Sequence, residues 1–139
     1  MRHAVFGKHL SRTKNERRRL LQGLARELIV RGSIRTTLAK AKAVQPMVEK
    51  LVTRAKNGSN GALSSIKKTL SDWQSMRLLL SDAKNRFSKR TSGFTRIIKL
   101  SPRAGDSAQE VMLAFVDPPY TSDVKQLDTS GVKKPIKKK

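Results

Sequence analysis

No cysteine occurs in this chain, so neither a disulfide nor a thiolate metal site staples the fold, and zinc-finger chemistry is excluded. The absence is compatible with a reducing cytoplasm. Acids are scarce too, with ten Asp and Glu against 31 Lys and Arg. They are spread along the chain from Glu16 to Asp128 and show none of the clustering that a metal-dependent nucleic-acid enzyme needs. No catalytic residue, cofactor or small-molecule substrate is assigned on this pattern. His3 and His9 have no third ligand near them, which leaves a metal site without support. Long apolar runs are missing, and nothing approaches the roughly 18 residues of a membrane span or resembles a signal peptide. The reading is a protein neither inserted in a membrane nor exported. Aromatic residues make up only 4% of the chain, and its single tryptophan, Trp73, falls at helical spacing with Met76, Leu80 and Phe87. That spacing predicts a core position rather than a base-stacking one.

What the chain has in excess is positive charge. A formal +21 over 139 residues demands compensation from outside, and so large an imbalance in a small protein is the electrostatic footprint of binding to a polyanion. Fifteen of the cations precede Asn57, against only Glu16, Glu27 and Glu49, so the first part of the chain is the main contact candidate. Charge alone does not separate RNA from DNA, and a nucleoid-associated or RNA-regulatory protein is the alternative class. The length suits one domain able to bury roughly two-thirds of its unfolded surface.

Three regions follow from the pattern: a basic arm over 1–13, one globular domain over 14–116 and a flexible Lys-rich tail over 117–139. The arm is too poor in bulky apolar residues to join a core and is expected to order on binding. From Lys14, Leu20, Leu21, Leu24, Ala25, Leu28 and Ile29 recur at helical spacing up to Gly32. Ser33 to Leu38 is β-branched and alternating, a short strand with Ile34 and Thr36 on one side. A second helix fits Ala41 to Ala55 and stops at Asn57-Gly58. Pro46 inside it predicts either a kink or two short helices meeting. Beyond a loop at 57–61, Leu63, Ile66 and Leu70 mark a third helix, and the segment from Trp73 to Phe87 a fourth. GFTRIIKL (93–100) and QEVMLAFV (109–116) then read as two strands of a long-looped hairpin. The order helix, strand, three helices, two strands predicts an α+β fold of two layers, in which the early strand joins the late hairpin in a small three-stranded sheet.

Several separated segments, in this order, resemble the bacterial large-subunit ribosomal protein seventeen family. They are MRH at the start, Gly7-Lys8-His9-Leu10 with Arg12, IRTTLAKAKAVQPMVEKLVTRAK, and GFTRIIKLSPRAGDSA followed by an apolar strand. The resemblance runs from Met1 to about Val116. It implies a two-layer α/β protein without catalytic role, bound to large-subunit ribosomal RNA and neighbouring ribosomal proteins near the peptide exit tunnel, on cytoplasmic ribosomes. The sequence departs from the family pattern at Ala4, at Glu16-Arg17 where a His-Arg pair is usual, at Ser92 in a usual Gly-Gly pair, and at Phe94 in place of tyrosine.

Arginine and lysine position a protein on RNA through phosphates, while bases are read where they are splayed out of the helix. In the arm, Arg2, Lys8 and Arg12 are the first phosphate candidates, and His3 and His9 the residues able to stack on an exposed base. Lys14, Arg17 and Arg18 follow at the start of the first helix; with Arg19 they point in several directions, so they do not all touch one surface. Arg35 and Thr36 of the strand, with Lys40 and Lys42 of the second helix, form a basic edge with hydroxyls. Arg96 and Lys99 fall on opposite strand faces, and Thr95 shares the face of Lys99. The loop at Arg103 and Gly105 offers backbone donors to a phosphate. All of these are RNA-binding candidates except Arg19, Lys99 and Gly105.

Overall fold

The computed structural model describes residues 8–117. Four helices and three strands follow one another as α1 (Lys14–Arg31), β1 (Ser33–Thr37), α2 (Leu38–Asn57), α3 (Asn60–Thr69), α4 (Trp73–Lys84), β2 (Thr95–Lys99) and β3 (Glu110–Phe115). The two-layer α+β order read from the sequence is the one observed. Arg2, His3 and the tail from 118 onward lie outside the described residues.

Helix α1 starts where Glu16 accepts hydrogen bonds from both the backbone N–H and the hydroxyl of Thr13, at 3.0 and 2.8 Å. This carboxylate in the first turn also complements the positive end of the helix. The helix stops because Gly32 adopts φ 76° and donates its N–H to the Leu28 carbonyl, a left-handed conformation that glycine takes without a Cβ clash. Strand β1 follows at once, and Thr37 holds the N-cap position of α2 in extended backbone without a side-chain cap bond, so Leu38 opens the helix instead of closing the strand.

Helix α2 runs unbroken through Pro46, so two short helices do not meet there. Val44, Val48, Leu51, Val52 and Ala55 are buried along one face of α2 and make it the central packing element, against the sheet on one side and α1, α3 and α4 on the other. Its period of about 3.6 residues brings this stripe to one face. Only Gly58 and Ser59 separate α2 from α3, a shorter connection than the sequence indicates.

Strand β3 lies between β1 and β2 and is antiparallel to both. The register sets Ile34 opposite Leu113 and Leu113 opposite Ile97, and these three face the helices. One residue along, Arg35, Met112 and Ile98 form a row on the outer face, as the two-residue strand period requires.

The inner end of the core is aromatic. Phe87 sits 5.3 Å from Phe94 and 5.2 Å from Phe115 between ring centroids, in the tilted geometries that aromatic quadrupoles favour. Phe87 is delivered by the turns after α4, not by the helix itself. Trp73 takes no part: at 70% exposure it is the most exposed large hydrophobic residue of those described. This overturns the core reading of Trp73. On α4 the buried positions are Ser75, Leu79 and Ala83, and the first residue of the helix lies outside that face.

Candidate nucleic-acid interface

Which cations remain available depends on which are committed within the protein. Glu49 of α2 accepts hydrogen bonds from the backbone N–H groups of Phe94 and Thr95, at 3.1 and 2.9 Å, and from the Thr95 hydroxyl at 2.6 Å. It fastens the start of β2 to the helix layer. Lys56 donates its ammonium to the carbonyls of Phe87 at 2.9 Å and Ser88 at 3.4 Å, and to that of Arg90. Arg86 is almost wholly buried and lies 4.7 Å over the Phe115 ring. It donates to Asp82 at 3.1 Å and to the Asp117 carbonyl. Burial pushes the Asp82 carboxyl above its usual range, outweighing the neighbouring Arg86 guanidinium. Arg90 holds Asp117 by two bonds of 3.0 and 3.1 Å and keeps that carboxyl below its usual range. Lys56, Arg86 and Arg90 are therefore part of the framework.

The candidate residues divide along the same line. Thr95 is withdrawn: it is only 6% exposed and its hydroxyl is bound to Glu49, so the strand period that groups it with Lys99 places it inside, while Lys99 escapes to solvent near the strand end. Arg103 is exposed, yet it forms a two-bond pair with Asp106 at 3.1 and 2.6 Å. That pairing, with the Ala108 N–H on the same carboxylate, holds Asp106 down to about 2. The N–H groups of Arg103, Ser107 and Ala108 are all bonded inside the loop, and the Asp106 carboxylate is exposed there beside the Arg103 guanidinium. These bonds leave fewer of the loop's donors for a phosphate. Arg35 is exposed and paired with Glu110, so its charge is partly answered within the protein.

Lys8, Arg12, Lys14, Arg18, Lys42 and Arg96 are exposed, and Arg17, Thr36 and Lys40 half-buried. None of these cations has an acidic partner among the described residues. His9 is exposed and its carbonyl accepts the Arg12 N–H at 3.4 Å. The turn between them carries Leu10 and Ser11 at φ 57° and 49°, so the arm enters α1 through a primed turn instead of an extended segment.

The structure brings one arm residue onto the basic edge. Lys8 and Lys42, with Thr37, Leu38, Ala39 and Gln109, line an open cleft of about 320 Å³ at the start of α2. No acid lies in the first turn of α2. The Leu38 N–H is taken by the Gln109 carbonyl at 3.1 Å; the helix dipole still directs positive potential into the cleft. Two ammonium groups and a helix N-terminus around one cleft repel one another unless an anion sits among them. The sequence reading places Thr37 within the strand and misses it here, although a threonine directly before a helical run is a signal that finds it; Gln109 carried no signal, since it comes from the far end of the hairpin.

The fold and the exposed lysines and arginines on α1, α2 and β2 define a small, strongly basic α+β domain. The profile of the ribosomal protein L17 family matches residues 20–116, and this chain belongs to that family, which is one of ribosomal proteins and not of enzymes. The large ribosomal subunit protein bL17 of Thermodesulfovibrio yellowstonii is 41% identical over 128 residues, 92% of this chain and 95% of that protein. Its namesake in a Hydrogenobaculum species is 41% identical over 118 residues, 84% of this chain and 100% of that protein. The one in Salinibacter ruber is 40% identical over 129 residues, 93% of this chain but 64% of that longer protein. No helix among the described residues is long and apolar enough to cross a membrane.

Proposed function

We propose that this chain is a structural constituent of the large ribosomal subunit, held there by phosphate contacts to large-subunit ribosomal RNA. Neighbouring large-subunit proteins near the exit tunnel complete its surroundings, on ribosomes in the cytoplasm. The observation that carries the reading is the cleft at the start of α2, where Lys8 and Lys42 converge on a helix N-terminus with no acid in its first turn. Arg12, Lys14, Arg17, Arg18 and Lys40 extend the positive surface, Arg96 adds a cation on the sheet, and Arg2 and His3 belong to the part of the arm outside the described residues. Bases enter the scheme through His9 and His3, because unpaired bases of RNA are read by stacking.

A salt titration of the purified protein on a large-subunit RNA fragment tests this. The slope of log affinity against log salt is expected to be steep, at roughly −0.7 to −0.9 per phosphate neutralised. Lys42→Glu lowers the affinity and flattens the slope, since it removes one ammonium and adds a carboxylate to the cleft. A slope near zero for the unaltered protein defeats the phosphate-contact reading.

A further inference from the structure

A second surface lies on elements that do not line the Lys8–Lys42 cleft. Arg19, Gln22, Gly23 and Arg26 of α1 form one wall of a groove of about 210 Å³, and Thr69 at the end of α3 with Leu70 and Ser71 of the connection to α4 forms the other. Trp73, the first residue of α4, stands two residues beyond Ser71. Arg26 reaches Asp72, the N-cap of α4, at 3.5 Å, which ties the α1 wall to the residue next to the indole. Arg77, one helical turn after Trp73 and therefore on the same face of α4, is exposed and has no acidic partner among the described residues.

Two features of this surface have no explanation inside the fold. Trp73 is 70% exposed, although burial of a side chain of its size stabilises a protein by kilocalories. Gly23 sits inside α1, where glycine costs about 1 kcal/mol against alanine. Its backbone is not in the left-handed region, and a Cβ there would meet nothing within 4 Å. The fold thus gains nothing from glycine at this position; it leaves the groove wall bare to the backbone, which suits close approach by another molecule.

We infer that the Trp73 indole and the Gly23 groove form a binding site for single-stranded RNA, with one unpaired nucleobase stacked on the indole and the adjoining sugar-phosphate in the groove beside Arg19 and Arg26. Charge complementarity selects this partner. Arg26 pairs with Asp72, the residue before Trp73, Arg19 lines the same groove wall, and Arg77 follows the indole by one helical turn; stacking platforms interleaved with cations are how proteins hold unpaired nucleotides. The groove is smaller than the roughly 300–1,000 Å³ of pockets that enclose small molecules, and fits one unit of a polymer. The inference rests on the ribosomal RNA reading for its ligand class, yet it concerns a separate surface.

Trp73 is the only tryptophan of the chain, so its emission reports this site alone. The full-length protein is titrated with an end-labelled, unstructured RNA oligonucleotide, with label anisotropy and tryptophan emission followed together. Binding is expected to quench the indole, and an RNA duplex to bind without quenching. Trp73→Ala is expected to weaken binding of the oligonucleotide by about 5- to 150-fold, the range for loss of one base stack, with the salt slope unchanged, while Trp73→Phe stays close to the original. Gly23→Leu, a better helix former that fills the groove, is expected to weaken binding without lowering stability. If anisotropy rises while emission stays constant and Trp73→Ala binds as before, the oligonucleotide sits elsewhere; the stacking site is then overturned and the wider RNA reading stands. If no RNA binds at low salt, both fall. An indole that responds only to purified large-subunit proteins is a protein contact, and one whose emission shifts red on removal of residues 118–139 is covered by the tail; either result also overturns the proposal.

Discussion

Asp106 and Arg103 show how one carboxylate changes what a loop is able to bind. With two guanidinium bonds and one backbone N–H on its oxygens, Asp106 is held to about 2 from an ordinary 3.8. Arg103→Ala is expected to return it toward the ordinary aspartate range in a pH titration followed by NMR, and to leave RNA affinity nearly unchanged. Thr95 belongs to the same argument. Since its hydroxyl serves Glu49, Thr95→Val is expected to cost about 1 kcal/mol of stability without altering RNA affinity, whereas a contact residue would show the opposite pattern. Glu49→Ala orphans the donors of Phe94 and Thr95 together and is expected to cost about 2–4 kcal/mol in chemical denaturation. Nothing local to Glu49 announces this role, because its partners lie 45 and 46 positions later. The departure at Glu16, by contrast, has a local cause: the carboxylate closes the N-terminus of α1 through Thr13.

Elements were legible where their own periodicity decided them. The apolar stripes of α1 and α2, the stop at Gly58, the alternation of β1 and the two strand-like runs of the late hairpin were readable because each is a pattern within one segment. The Trp73 reading failed for the complementary reason. A helical spacing shows that residues share a face, but which face meets the core depends on α1 and α2, and they contact the side carrying Ser75, Leu79 and Ala83. Helix α2 also carries a liability of its own. Pro46 is exposed in its interior, where proline is about 3 kcal/mol worse than alanine; part of that is offset by the stiffer unfolded chain. Pro46→Ala is therefore expected to raise stability by about 1–2 kcal/mol, read as a higher denaturant midpoint at constant slope.

For the whole molecule, charge sets both the partner and the response to acid. Glu16, Asp72, Asp106 and Asp117 are all lowered, the first two chiefly by backbone hydrogen bonds and the last two chiefly by arginine. A carboxylate whose folded pKa lies below its unfolded value contributes stability above the unfolded value and loses it as pH falls through the folded one. Asp82, raised by burial, works the other way: its folded form takes up a proton more readily, which favours the folded state slightly as pH drops. Four lowered groups outweigh one raised group, and protonation adds to an already large positive charge. Stability is expected to decline as pH falls from about 4 toward 2, as seen in thermal melts across that range. In assembly, removal of residues 1–13 is expected to reduce incorporation into large subunits more than removal of the lysine tail, because the arm supplies Lys8 to the cleft. Sedimentation of particles reconstituted with each truncation decides between them.

The amino-acid sequence by itself determined the charge, the order and kind of the elements, the α+β class and the family likeness, since all of these reside in local spacing and composition. Only the tertiary structure decided which cations remain for a partner. Arg35, Arg86, Arg90 and Lys56 meet their counterparts through pairings 27 to 75 residues apart, and Trp73 is left in solvent by the way α4 rolls onto its neighbours. Charge is a property of residues, but its availability is a property of packing, which no single segment encodes.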